Sequence, residues 1–174
     1  MWDSKSKLLK KQKVAIVTAA SKGIGAACAT QLASEGYKLV LMSRSDSLFA
    51  LCDHLNARPI QGSIDEENDI ARLVGFTYEK YGRIDAVVCN TGHANKGSLL
   101  SLTDSDWKKG MDLLLMNVIR LARSIGPIMA KQKGGAFVNI STFGAKEPSL
   151  SFPISSVIRA AVSSYCKLFA SELG

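Results

Sequence analysis

Apolar positions along this chain follow two alternating rhythms. Short runs rich in β-branched residues, such as Val14-Ala15-Ile16-Val17 and Ala86-Val87-Val88, give way to longer stretches with apolar residues every three or four positions. The first rhythm predicts strands near 13–18, 37–42, 57–61, 84–89 and 135–140. The second predicts helices near 24–35, 46–55, 66–81, 104–131 and 155–172. Strands joined by helices of this length imply a parallel sheet with right-handed crossovers, hence a doubly wound α/β fold. Thr103 and Asp104 offer N-cap oxygens for the long fourth helix, and Gly134-Gly135 stops it before the fifth strand. In such a sheet the ligand crevice lies at the carboxyl ends of the strands, here the loops 18–25, 43–46, 62–65, 89–97 and 141–153.

Composition narrows the class without changing that picture. A chain of 174 residues, 47% apolar and 21% charged, suits one domain with a substantial core. It divides into a basic tail over 1–12 and a single folded domain over 13–174. No apolar run approaches the roughly 20 residues that span a bilayer, so no membrane partner is expected. The first residues carry charges with no apolar core after them and do not read as a signal peptide. Cys28, Cys52, Cys89 and Cys166 form no C-x-x-C pair. They read as reduced core residues of a cytoplasmic protein, with no disulfide framework and no metal site. Much of the net charge of +7 sits in Lys5, Lys7, Lys10, Lys11 and Lys13. No nucleic-acid-binding signature accompanies these lysines, so a solvated tail is expected.

One stretch carries chemistry by itself. Val14-Ala15-Ile16-Val17-Thr18 breaks into Ala19-Ala20-Ser21-Lys22-Gly23-Ile24-Gly25 and then into the helical Ala26-Ala27-Cys28-Ala29. A strand, a small-residue loop and a helix start form a cradle for a pyrophosphate. Backbone N–H groups at the helix N-terminus point at the anion, and glycine lets it approach.

The spacing T-x-x-x-x-G-x-G resembles the T-G-x-x-x-G-x-G loop of the short-chain dehydrogenase/reductase family, with Ala19 at the place of the first glycine. The resemblance runs from Lys13 to Gly174. It implies a Rossmann-type sheet and a nicotinamide cofactor held by Thr18, Ser21, Lys22, Gly23, Ile24 and Gly25. Arg44 lies 19 residues beyond Gly25 and, with Lys22, places two cations where a 2′-phosphate would sit, favouring NADP(H) over NAD(H). Ser63-Ile64 occupies the place of the adenine-contacting pair. Cys89-Asn90-Thr91-Gly92 is similar to the family's N-N-A-G, so Asn90 is expected to brace the loop and Gly92 to let it turn. Asn117 stands where the family has its active-site asparagine, and Thr142 where it has the serine that orients the substrate carbonyl. Family members continue beyond the last helix with further strands, so the sheet is expected to lack them; a fragment and a differently closed fold both remain open.

The departure with most consequence comes 13 residues after Thr142. The family's Y-x-x-x-K is replaced by Ser155-Ser156-Val157-Ile158-Arg159, and no other tyrosine is followed by lysine at that spacing. This looks like a divergent subgroup similar to 3-oxoacyl-carrier-protein reductases. Ser155 is a poor proton donor, and Arg159 keeps the charge without exchanging protons. The expectation is an oxidoreductase acting on a small carbonyl or alcohol, assembled as a homodimer or homotetramer. The alternative is a cofactor-binding pseudoenzyme or regulatory subunit.

Overall fold

The computed structural model describes residues 12–173, so the expected basic tail lies outside the described residues but for Gln12. Five strands form one parallel sheet: β1 (Val14–Thr18), β2 (Lys38–Ser43), β3 (Arg58–Gln61), β4 (Ala86–Cys89) and β5 (Ala136–Asn139). Their order is β3-β2-β1-β4-β5. The connecting helices are α1 (Gly23–Ser34), α2 (Ser47–Leu55), α3 (Glu67–Tyr81), α4 (Asp104–Met111), α5 (Asn117–Gln132) and α6 (Pro153–Leu173). The chain reverses its winding between β1 and β4, which opens a crevice at the carboxyl ends of those strands. The doubly wound α/β fold is therefore observed, and among the described residues no strand lies beyond β5.

Side-chain alternation along the strands builds a core on each face of the sheet. Ile16, Val40, Met42 and Val87 point to one face and pack with Leu73 of α3 and Leu121 and Ile125 of α5. Ala15, Val17, Leu39 and Leu41 point to the other and meet Ala29 of α1 and Leu48 of α2. Truncating a fully buried residue such as Leu121 to alanine costs about 2–5 kcal/mol.

The expected fourth helix departs from regularity. It is α-helical to Met111, widens into a π-helical turn over Asp112–Met116, and resumes as α5. The run Leu113-Leu114-Leu115 hides this change of phase, because leucine is apolar on every side it presents. Thr103 is the N-cap, with Asp106 completing a capping box. Asp106 also accepts from Asn95 at 2.7 Å, and these bonds from Thr103 and Asn95 pull its carboxyl down to about 2. By length and composition alone the stretch Asp104–Gln132, which includes the charged Arg120 and Arg123, is long and apolar enough to cross a membrane. Its apolar stripe through Val118, Leu121, Ile125 and Met129 is buried against the sheet.

At the opposite end of the sheet Asp85 fixes the start of β4 to β1. Its carboxylate accepts from the Val14 amide at 2.8 Å and takes two bonds from Arg83, at 2.8 and 2.6 Å. Burial alone would raise this carboxyl, but the Arg83 and Val14 bonds outweigh it and hold it below its ordinary value. A depressed folded value stabilises the fold above the unfolded carboxyl's pKa of about 3.9 and loses that contribution as pH falls through the folded value. Asp85→Asn should cost about 1–3 kcal/mol near neutrality and flatten the acid limb below about pH 4. Urea denaturation against pH reads both effects.

Candidate cofactor cleft

The loop after β1 shows how its residues make room for an anion. Ala19 has a left-handed backbone, φ +46°, and Gly23 follows at φ +57°. A non-glycine residue in that region costs of order 1 kcal/mol, so Ala19 carries a small strain at the place where the family loop has glycine. Gly25 is required for a different reason. A Cβ there would lie 2.5 Å from the Ala19 carbonyl oxygen and 2.8 Å from Asn90 Nδ2. The N-terminus of α1 has no side-chain cap and no acidic residue in its first turn, so its free N–H groups and dipole favour an anion.

Polar bonds tie this loop to its neighbours. Thr18 is fully buried; its hydroxyl donates to the Asn90 carbonyl at 2.8 Å and accepts from the Asn90 amide at 3.0 Å. Asn90 Nδ2 donates to the Ala19 carbonyl at 3.1 Å. Ser43, at the end of β2, donates to Ser21 at 2.9 Å. After β3 the Ser63 amide donates to Asp69 at 2.9 Å, and Arg72 donates to the same carboxylate. The Arg72 bond, then the Ser63 amide, hold the Asp69 carboxyl below its ordinary value.

These loops enclose a cleft of about 640 Å³, within the range of small-molecule sites. Ser21, Lys22, Gly23 and Ile24 line one end, joined there by Arg44 after β2 and by Ser63 and Ile64 after β3. Asn90 and Gly92 line the middle, and Thr142, Ser155 and Arg159 the other end. Lys22 and Arg44 are exposed and pair with no carboxylate among the described residues. Three expected site residues lie behind the wall. Thr18 and Gly25 support the loops, and Asn117 is fully buried, donating to the Leu113 carbonyl while its Oδ1 has no partner. Leu113 stands at the cleft surface in its place.

Ser155 and Arg159 lie one turn apart on α6 and share its cleft face. Arg159 is buried; it donates to the Ile140 carbonyl and, at 3.0 Å, to Thr91 Oγ1. Its Nε has no partner, and burial lowers the guanidinium pKa. Part of the fork thus joins the loops after β4 and β5 instead of standing free. Thr142 accepts from the Gly144 amide at 2.9 Å, which orients its hydroxyl at the loop after β5. Sequence reasoning passed over Thr91 and His93. Gly92 lies in a loop and has no positive φ, so the expected turn is not seen there. His93 directly follows it and lines the cleft, a position that its adjacency to Asn90 and Gly92 could have signalled.

A second cavity, about 590 Å³, lies away from these loops, between β5, α5 and α6. Phe137 and Phe169 meet edge to face in its wall at 5.2 Å, and Tyr165 stacks on Phe169. It is more apolar than the cleft and holds none of the expected site residues.

Comparison with known proteins agrees with this geometry. The sequence model of the short chain dehydrogenases matches residues 13–174. A 3-oxoacyl-[acyl-carrier-protein] reductase of Synechocystis sp. is 30% identical over 168 residues, covering 92% of this chain and 68% of that protein. The L-sorbose reductase of Gluconobacter frateurii, solved with NADPH and L-sorbose, superposes with a TM-score of 0.86 at 28% identity. That match covers 93% of this chain and 64% of the sorbose reductase. A short-chain dehydrogenase of Streptomyces avermitilis superposes with a TM-score of 0.89 at 27% identity, over 95% of this chain and 62% of that one. This chain therefore spans about two thirds of the proteins it resembles, and by sequence and fold it belongs to the short-chain dehydrogenase family.

Proposed function

We propose that this chain binds NADP(H) and acts as an oxidoreductase between that cofactor and a small carbonyl or alcohol. The observation that carries the reading is the uncapped N-terminus of α1, closed on one side by Gly25 and flanked by two cations without carboxylate partners. Lys22 and Arg44 hold a 2′-phosphate by charge-assisted hydrogen bonds, and Ser21 and Ser43 add hydroxyls beside them. Ile64 and Ile24 give the adenine an apolar contact. The related L-sorbose reductase, solved with NADPH, supports the same choice of cofactor.

When bound, the reduced nicotinamide supplies hydride to a carbonyl carbon. The chain's own residues must place that carbonyl and manage the charge on its oxygen. The Thr142 hydroxyl and the Ser155 hydroxyl donate hydrogen bonds toward it, and Arg159 provides positive charge at the same end of the cleft. Arg159 does not give up its proton in the physiological range, so it stabilises charge without acting as an acid. Asn117 sets the wall through Leu113 and acts at one remove. In solution the chain is a homodimer or homotetramer in this reading, and light scattering showing a monomer would count against it.

One observation favours a second reading, a cofactor-binding protein with little turnover. No tyrosine lines the cleft, and Arg159 is partly committed to Thr91 and Ile140.

NADPH at a hundred times its Kd should stabilise the chain by about 2.7 kcal/mol, read as a rise in Tm. No rise with NADPH or NADH would overturn the cofactor reading. Arg44→Glu should weaken NADPH binding by roughly 10- to 100-fold, the loss of about 1.5–3 kcal/mol, while NADH binding changes much less. Fluorescence titration of both cofactors measures this; equal losses would argue against a 2′-phosphate contact. Gly25→Ala, whose methyl meets the Ala19 backbone, should lower stability by about 1–3 kcal/mol and remove most of the NADPH-induced rise in Tm.

A further inference from the structure

The cleft needs a proton donor, and its lining offers few. Its ionisable side chains are Lys22, Arg44, His93 and Arg159, with no carboxylate, thiol or tyrosine among them. Lys22 and Arg44 stand at the α1 end, and Arg159 holds its protons at any physiological pH. Imidazole alone among these groups ordinarily changes charge between about pH 5 and 8.

We propose that His93 is the acid of the reductase reading above, on which this inference rests. Its position fits the task. It follows Gly92 on the loop after β4 and lines the cleft shared with Thr142, Ser155 and Arg159. It also lines an adjoining polar cavity of about 360 Å³, so one end of the imidazole's surroundings is open to water. The loop carrying it is anchored two residues on, where Asn95 donates to Asp106 of α4 at 2.7 Å.

The charges around His93 come from several elements. Asp65 and Glu66 after β3, and Asp112 in the π-helical turn, line the adjoining cavity with it. Lys109 of α4 lines the same cavity, Arg159 of α6 lines the cleft, and Lys96 follows on the same loop. Lys96 lies 4.7 Å from the centre of the Phe152 ring.

The step balances as follows. The carbonyl carbon accepts a hydride, one proton with two electrons, from the reduced nicotinamide, which is thereby oxidised. The carbonyl π pair moves onto oxygen, and the oxygen takes the proton of the His93 imidazolium. The neutral imidazole regains a proton from water through the polar cavity. In the reverse direction the neutral imidazole accepts the alcohol proton. Reduction therefore slows as pH rises through the His93 titration, and alcohol oxidation slows as pH falls through it.

Two measurements on the full chain test this, after NADPH titration has established binding. The sequence has two histidines, His54 and His93, so imidazole NMR with His93→Gln assigns both signals. The oxidised nicotinamide ring is a cation and the reduced ring is neutral. The His93 midpoint should then lie about half a unit or more lower with NADP⁺ than with NADPH. His54, in α2 and away from the cleft, should show no such difference. Equal His93 midpoints with the two cofactors overturn the proposal. In the second measurement, NADPH-dependent reduction of ethyl acetoacetate and of L-sorbose is followed against pH. His93→Gln and His93→Asn should lower kcat by about 100-fold or more, remove the falling limb, and leave the NADPH Kd within threefold. His54→Gln should match the unsubstituted chain. Variants within threefold of that kcat overturn the proposal, while loss of NADPH binding by the unsubstituted chain overturns the reductase reading itself. If neither probe is reduced, the NMR midpoints decide.

Discussion

A buried hydroxyl at the end of β1 sets the geometry on which the cleft depends. Thr18 both gives a hydrogen bond to the Asn90 backbone and receives one from it, so the last residue of β1 and the first loop residue after β4 move together. Asn90 then reaches back to the Ala19 carbonyl, and Gly25 packs so closely against both that it admits no side chain. This knot lies where the sheet reverses its winding, the place at which two loops must part to make a crevice. It adds a polar tie at the N-terminus of α1 to the apolar packing of Ala29 that holds the rest of the helix on the sheet. The polar groups involved are buried and satisfied, a condition under which such a network favours one loop arrangement over its alternatives.

The cleft is electrostatically one-sided. Cations stand at each end and no carboxylate lines it, although acidic residues sit just outside in the adjoining polar cavity. A concave surface of one sign raises the local concentration of oppositely charged ligands and speeds their capture. Arg159 has a further part in this arrangement. By donating to Thr91 and to Ile140 it joins the loops after β4 and β5, so one guanidinium supplies both charge and shape at that end of the cleft.

Much of this was legible in the residues, for identifiable reasons. Each strand was expected within two residues of its observed ends; for β1, β2 and β4 an apolar run between turn residues admits few other placements, whereas β3, Arg58–Gln61, has no such run. The start of α6 at Pro153 was missed by two residues, although proline suits the first helical position. Lys22, Arg44, Ser155 and Arg159 could be grouped from family spacing, and the structure brings all four to one cleft. Spacing along the chain does not tell which of two adjacent residues faces a cavity. Thr18, Gly25 and Asn117 were therefore grouped with the residues they support, and His93 was overlooked beside Gly92. The π-helical turn was illegible for a different reason, since three consecutive leucines satisfy any helical phase.

That turn has a consequence for how the chain can vary. A π-helical turn takes up one residue more than a regular turn, and each residue of an α-helix advances the side chains by about 100°. The wide turn over Asp112–Met116 thus fixes the angular phase between the face of α4 that meets Ile154 and Ile158 and the stripe of α5 that meets the sheet. Winding the same residues as a regular α-helix, with none removed, would give shorter i to i−4 hydrogen bonds there. It would also turn Val118, Leu121 and Ile125 away from the core by about a quarter of a revolution. The irregularity acts as a phase adjuster between two packing surfaces, so smoothing the helix would unfasten one of them.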